Sequence, residues 1–209
     1  MRRQPLVILS AAALLLGLGA VASLPSVLSG WRGGDAALAA CRGGVTGGDI
    51  GGPFTLVDGQ GRTVTEADVF TEPTILYFGY TFCPDVCPLD MARNGEAARI
   101  LESRGIPARP VFVSVDPARD TPDWAAEWAL NFHDDAVGLS GSPEQVDAAK
   151  RAWRVYAQAQ PAEDGFYLVD HSTFSYLVLP EVGFVDFVRR EESPEAVADR
   201  LQCFVEAAA

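Results

Sequence analysis

The stretch Thr74-Ile75-Leu76-Tyr77-Phe78-Gly79-Tyr80-Thr81-Phe82-Cys83-Pro84-Asp85-Val86-Cys87-Pro88 decides the fold. Its first seven residues form an unbroken run rich in aromatic and β-branched side chains. A run that long without polar alternation suits a strand buried on both faces, as in sheets that carry helices on either side. Pro88 fits the first turn of a helix, where a missing N–H costs no hydrogen bond. Met91 to Arg104 continues that helix with Ala97, Ala98 and Leu101 as its packing side, and Gly105 closes it. Cys83 and Cys87 thus stand where a buried strand hands over to a helix.

Downstream, Arg109 to Val115 repeats the buried-strand pattern and ends in Asp116-Pro117. Pro122 to Asn131 opens a helix with Trp124 and Trp128 four apart on one side. A third strand, Ala136 to Leu139, precedes a helix over Pro143 to Tyr156. Strand and helix in alternation argue for a parallel sheet with helices on its faces. The last third differs: Phe166 to Val169, Ser175 to Leu179 and Gly183 to Arg189 read as strands, with Pro180-Glu181-Val182-Gly183 as a turn. The final two are expected to form an antiparallel hairpin that completes the sheet, with Pro194 to Glu206 as a closing helix. Upstream, Phe54 to Val57 and Arg62 to Thr65 flank Asp58-Gly59-Gln60-Gly61 and read as an N-terminal hairpin. The expectation is one α/β domain over residues 53–209, with a central mixed sheet flanked by helices.

Ahead of the domain, Met1-Arg2-Arg3 is followed by a stretch from Gln4 to Trp31 with no charged side chain, centred on Leu14, Leu15 and Leu16. Such a run is long enough to span a bilayer, and arginines on its N-terminal side keep that end in the cytoplasm. Residues 1–28 are therefore read as a transmembrane anchor or signal, and residues 29–52, rich in Gly and Ala without periodicity, as a flexible linker. The expectation is a single-pass protein of the cytoplasmic (inner) membrane whose domain lies in the periplasm. Two other readings are cleavage after Ala20-Val21-Ala22 and a lipoprotein box at Leu38-Ala39-Ala40-Cys41.

The 209 residues include 21% charged and 48% apolar side chains, enough to fill a core. The formal net charge of −12 opposes any binding that neutralises phosphates, so nucleic acid is excluded as a partner. Outside the cytoplasm, four cysteines are read under oxidising conditions. Cys83 and Cys87 are near enough to pair locally. That leaves Cys41 and Cys203, either as a bridge pinning both ends of the domain or as two unrelated thiols.

In α/β sheets, ligands gather at the carboxyl ends of strands. A helix N-terminus there favours thiolate over thiol through its unpaired N–H groups and its dipole, with Asp85 and Asp90 partly opposing. Two thiolates on a short loop chelate copper(I), zinc or an iron–sulfur cluster, though two alone seldom complete a site. Only His133 and His171 offer imidazole. His133, at a helix end, reads as a surface residue. His171, at the end of a predicted strand returning toward the cysteine loop, reads equally well as ligand or not. The plain alternative for the cysteine pair is a structural disulfide; zinc is disfavoured because its usual closed site needs a fourth ligand.

Taken together, Gly79 to Pro88, then Ser114-Val115-Asp116-Pro117-Ala118-Arg119-Asp120-Thr121-Pro122, then Val169-Asp170-His171-Ser172 resemble, in that order, three segments of the Sco/SenC copper proteins. That family assists assembly of the binuclear copper site of cytochrome c oxidase. The resemblance implies a thioredoxin-like fold with an N-terminal membrane helix, and a copper(I) or copper(II) ion held by Cys83, Cys87 and His171. It implies as partners the copper-receiving subunit of the oxidase, an extracytoplasmic thiol reductant and another copper chaperone. Pro180-Glu181-Val182-Gly183 departs from the family's usual turn, and Cys41 with Cys203 is a pair not expected in it.

Metal delivery is the leading reading. Its rival is thiol–disulfide exchange by Cys83 and Cys87 as a redox-active pair, acting on oxidase cysteines or as a redox sensor; His171 discriminates, since exchange does not require it. Peroxide chemistry is a third reading. Asp116, Arg119 and Asp120 read as a loop ion-pair network or a partner surface.

Overall fold

From Thr55 onward the chain runs β1 (Thr55–Asp58), β2 (Thr63–Thr65), α1 (Glu66–Val69), β3 (Thr74–Gly79), α2 (Val86–Ser103), β4 (Arg109–Ser114), α3 (Pro122–Leu130) and β5 (Val137–Ser140). It continues through α4 (Pro143–Ala152), β6 (Ala157–Ala159), β7 (Val169–His171), β8 (Ser175–Leu179), β9 (Gly183–Val188) and α5 (Pro194–Ala208). This computed structural model describes residues 36–42, 50–161 and 166–209. The expected anchor and its cleavage site lie outside the described residues. No helix among the described residues is long and apolar enough to cross a membrane.

Seven strands form one mixed sheet in the order β2-β1-β5-β4-β3-β8-β9. The β3–β4 and β4–β5 pairs are parallel, while β8 and β9 add antiparallel beyond β3 and the β1–β2 hairpin caps the other side. The unit β3–α2–β4 followed by β8–β9–α5 is the arrangement expected of a thioredoxin-like sheet. All six residues of β3 are buried, as its unbroken apolar run requires. Ile75 packs with Ala97, Ala98, Leu101, Val197, Leu201 and Phe204 from α2 and α5. In the other core cluster, Phe78 and Tyr176 pack around Trp153, which follows α4. The T-shaped Trp153–Tyr176 pair adds about 0.5–1.5 kcal/mol beyond its buried area. At Gly138 a Cβ would lie 2.1 Å from the Ala125 carbonyl oxygen, so only glycine lets α3 lie this close to β5.

Three helices begin where a hydroxyl residue precedes proline: Thr121-Pro122, Ser142-Pro143 and Ser193-Pro194. Ser142 accepts from the Gln145 N–H and Ser193 from the Ala196 N–H, which satisfies donors the first turn leaves open. Some boundaries differ from the sequence reading. Helix α4 stops at Ala152, short of Tyr156, because Arg154 takes a left-handed φ of 54°. Helix α2 starts at Val86, so Cys87 lies inside its first turn rather than before it.

The strand expected over Phe166 to Val169 lies instead at Val169–His171. It pairs with β6, a strand absent from the sequence reading, and the two form a ribbon separate from the central sheet. Within the stretch read as a linker, residues 36–41 are helical. Cys41 there is bonded to Cys203 of α5, and Leu38 packs against the α2–α5 core. A sulfur in that bridge carries no lipid, which removes the lipoprotein-box reading.

Candidate metal centre

Cys83 closes the turn after β3, its N–H donating to the Tyr80 carbonyl at 3.2 Å. The turn is fastened from below by Asp120, fully buried. Asp120 accepts from the Thr81 N–H at 3.0 Å, the Thr81 hydroxyl at 2.6 Å and the Ser114 hydroxyl at 2.6 Å. The Trp124 indole N–H donates to the same Thr81 hydroxyl at 2.8 Å. Burial pushes the Asp120 carboxyl up, against the pull of these donors. Among the described residues the ion pair of this loop is Asp116 with Arg119, at 2.6 Å, and Asp120 is held by hydroxyls instead.

One helical turn on, the Cys87 N–H points at Cys83 Sγ, 3.4 Å away. That is an open first-turn donor aimed at a sulfur. Gly79 makes room: a Cβ there would meet Cys87 Sγ at 3.0 Å and the Tyr77 ring at 2.7 Å. Cys87 is fully buried and Cys83 is 9% exposed; both are free thiols. Their titration is unequal. The hydrogen bond from the Cys87 thiol holds Cys83 well below the ordinary thiol range against the effect of burial. Burial, and then the neighbouring Cys83, push Cys87 up. The outer sulfur is thus the easier of the two to ionise and the inner the harder.

His171 comes from β7, 84 positions along, and its Nε2 lies 3.3 Å from Cys87 Sγ. Its Nδ1 faces the Ser172 carbonyl oxygen at 2.8 Å. A carbonyl only accepts, so Nδ1 carries the proton and Nε2 keeps its lone pair for the sulfurs. Tyr77 and Tyr80 meet the imidazole edge-on, with centroids 6.1 and 5.7 Å away. The ligand atoms of Cys83, Cys87 and His171 all lie within 4.8 Å of one another, and no fourth His, Cys, Asp or Glu joins them among the described residues. An ion with S and N bonds of about 2.3 and 2.0 Å at near-tetrahedral angles spans an S···N edge of about 3.5 Å, so the spacing fits one metal ion. Three donors, two of them soft, suit copper better than a closed zinc site.

Behind the site, α2 carries a buried polar cluster that sequence reasoning does not single out. Arg93 pairs with Asp90 at 3.2 Å and donates to the Ser175 hydroxyl at 2.8 Å and the Arg189 carbonyl at 2.9 Å; Asn94 donates to Ser175 at 2.9 Å. Burial pushes the Asp90 carboxyl up, and Arg93 pulls it back. The cluster locks the helix holding Cys87 onto β8 and the end of β9. Polar residues on the core side of α2 are its only trace in the sequence.

His133 is not the surface residue expected: it is 3% exposed. Its Nδ1 accepts from the Asp135 N–H at 3.2 Å, and its Nε2 faces Glu102 at 3.3 Å. It thereby fastens the end of α3 to the end of α2 and takes no part in the cysteine site.

The SCO1/SenC family profile matches residues 44–206. The SenC protein of Rhodobacter capsulatus is 49% identical over 171 residues, covering 81% of this chain and 77% of that protein. The mitochondrial SCO1 homolog 1 of Arabidopsis thaliana is 43% identical over 151 residues, covering 72% of this chain; the match spans only 45% of that longer protein. Among solved structures, Arabidopsis thaliana ScoI with copper bound superposes with a TM-score of 0.71 at 41% identity, over 75% of this chain and 98% of that one.

Proposed function

The chain belongs to the SCO1/SenC family, and from that premise we propose that it is a copper chaperone. In this reading it carries a copper ion on Cys83, Cys87 and His171 and delivers it to the binuclear copper site of cytochrome c oxidase. The observation that carries the proposal is the meeting of those three side chains, with the His171 lone pair turned toward the sulfurs. Copper is the cargo. Its binding displaces the proton shared by the thiols, and transfer proceeds by exchange of these ligands for those of the receiving subunit. Residues 1–28 would hold the domain, residues 53–209, on the periplasmic side of the inner membrane, which raises the encounter rate with an oxidase in the same bilayer.

Copper(I) titration of the reduced protein tests this. One ion is expected per chain, lost in Cys83→Ser and Cys87→Ser and weakened in His171→Ala by at least the about 10–100-fold that loss of an outer-shell partner costs. Absence of binding by the reduced parent protein refutes the proposal.

The unequal sulfurs favour a second use of the same pair. Thiolate Cys83 attacks a disulfide of a partner, and Cys87 then displaces that mixed disulfide. The partner gains two electrons and the Cys87 proton as the pair becomes a disulfide, and its second sulfur leaves as a thiolate that takes its proton from solvent. An extracytoplasmic reductant must restore the thiols before copper binds again. Exchange that survives His171→Ala while copper retention falls would separate the two roles.

A further inference from the structure

The metal centre is assembled from two pieces with different mechanical support. Cys83 and Cys87 stand on the central sheet and α2, whereas His171 ends a strand whose one strand partner among the described residues is β6, in a ribbon outside that sheet that meets the core through buried Val169 and its backbone contact with Tyr80. A two-stranded ribbon is marginally stable by itself in water. Its contacts with the rest of the domain therefore set where His171 stands over the cysteine loop.

Arg119, in the loop between β4 and α3, touches both pieces. Its Nη1 donates to the Tyr167 carbonyl at 2.9 Å, four residues before His171, and its guanidinium lies 3.6 Å from the centroid of the Tyr167 ring. On the other side it lies 5.0 Å from the ring of Phe82, the residue before Cys83, and 5.6 Å from that of Tyr80, which packs on the His171 imidazole. Asp116 closes the arrangement. Its carboxylate accepts from Arg119 Nε at 2.6 Å and from the Tyr167 hydroxyl at 2.8 Å. One planar cation therefore meets the loop of the first ligand, the aromatic wall of the third, and the segment that leads into the strand carrying the third. A guanidinium suits this place because its fork bonds in-plane partners while its faces stack on rings.

We propose that Arg119 is a positioning residue for the copper site, holding the ribbon so that His171 reaches the two sulfurs. The proposal rests on the copper reading above and assigns Arg119 no contact with the ion. If Arg119 acts through His171, removing it turns a three-ligand site into a two-sulfur site and leaves the dithiol intact.

The experiment is a double-mutant cycle on the reduced protein, with copper(I) affinity measured by competition against a chromogenic chelator. The variants are Arg119→Gln, His171→Ala and the two combined. Arg119→Gln is expected to weaken binding about 10–100-fold, the size usual for residues that orient a metal ligand. On the His171→Ala background the same change is expected to cost less than about threefold, since the ligand it serves is gone. X-ray absorption of the copper-loaded Arg119→Gln protein should show two sulfurs and no imidazole nitrogen. Should Arg119→Gln lack the circular dichroism of a folded domain, the cycle is run with Tyr167→Leu, which leaves the Arg119–Asp116 pair in place. Equal losses on both backgrounds, or an unchanged nitrogen shell, overturn the proposal. A parent protein that binds no copper overturns the copper reading itself and is recognised by that control alone.

Discussion

Replacing Cys203 with serine opens the Cys41–Cys203 bridge, which closes a loop of sequence separation 162. In the chain-entropy account, a cross-link of that span removes about 17 cal/mol/K from the unfolded ensemble, or about 5 kcal/mol at 25 °C. This is an upper value. The native state recovers part of it, because residues 36–42 meet the domain mainly through Leu38 and Cys41 and would detach once the bond is gone. About 3–5 kcal/mol should remain, and at about 2–4 °C per kcal/mol for a chain of this size the melting temperature should fall by about 6–20 °C. The assay is thermal unfolding followed by circular dichroism in a Cys83→Ser/Cys87→Ser background, so that added reductant acts on this bridge alone. Reduced parent and oxidised Cys203→Ser protein should melt together, both below the oxidised parent. A difference under about 2 °C would show that the bridge does not restrain the unfolded chain as reasoned here.

Two further outcomes concern the site. Gly79→Ala places a methyl 3.0 Å from Cys87 Sγ and 2.7 Å from the Tyr77 ring, both fully buried and with little room to yield; overpacking of this kind costs about 1–3 kcal/mol in denaturant unfolding. Copper affinity should fall at least about tenfold as the sulfur is displaced. For the thiols, a Cys83 held below the ordinary range stays ionised as pH falls, since a depressed group loses its charge only on crossing its own lowered pKa. Alkylation of reduced protein by iodoacetamide, mapped by mass spectrometry, should therefore fall on Cys83 and slow less than about threefold from pH 8 to pH 6. An ordinary thiol loses about 75-fold of its thiolate over that range. A Cys83 rate that tracks the ordinary thiol would contradict the shared-proton description.

Legibility in the sequence follows the strength of the local signal. The unbroken run Thr74 to Tyr80 can be placed because it is short, apolar throughout and rich in β-branched and aromatic residues, as a doubly covered strand requires, and Pro122, Pro143 and Pro194 mark three helix starts. Ala157–Ala159 carries no β-branched or aromatic residue, so a strand made by pairing with β7 leaves no trace. The helix after Ser142 reads past its true end because Val146, Ala149, Trp153 and Tyr156 fall at helical apolar spacing, while the left-handed φ at Arg154 does not show in composition. His133 reads as a surface residue from its place at a helix end; its burial depends on Glu102, 31 positions earlier, which only the fold brings near. Cys83 and Cys87 announce themselves by spacing. His171 does not: its role depends on a ribbon, on Ser172 fixing the tautomer and on contacts reaching across the chain, and it is the family resemblance that singles it out.

The order of the strands has a consequence for self-association. An open sheet offers unpaired N–H and C=O groups along each rim, and these invite a strand from another molecule. Here the rims are β2, three residues long and followed at once by α1, and β9, whose pairing with β8 is interrupted by a register shift at Leu177/Val178. Asp186 turns inward from β9 and is paired with Arg200 at 3.5 Å, so an incoming strand finds a charge where it needs an apolar neighbour. Both rims of this sheet thus carry features that discourage copies of the domain from joining edge to edge.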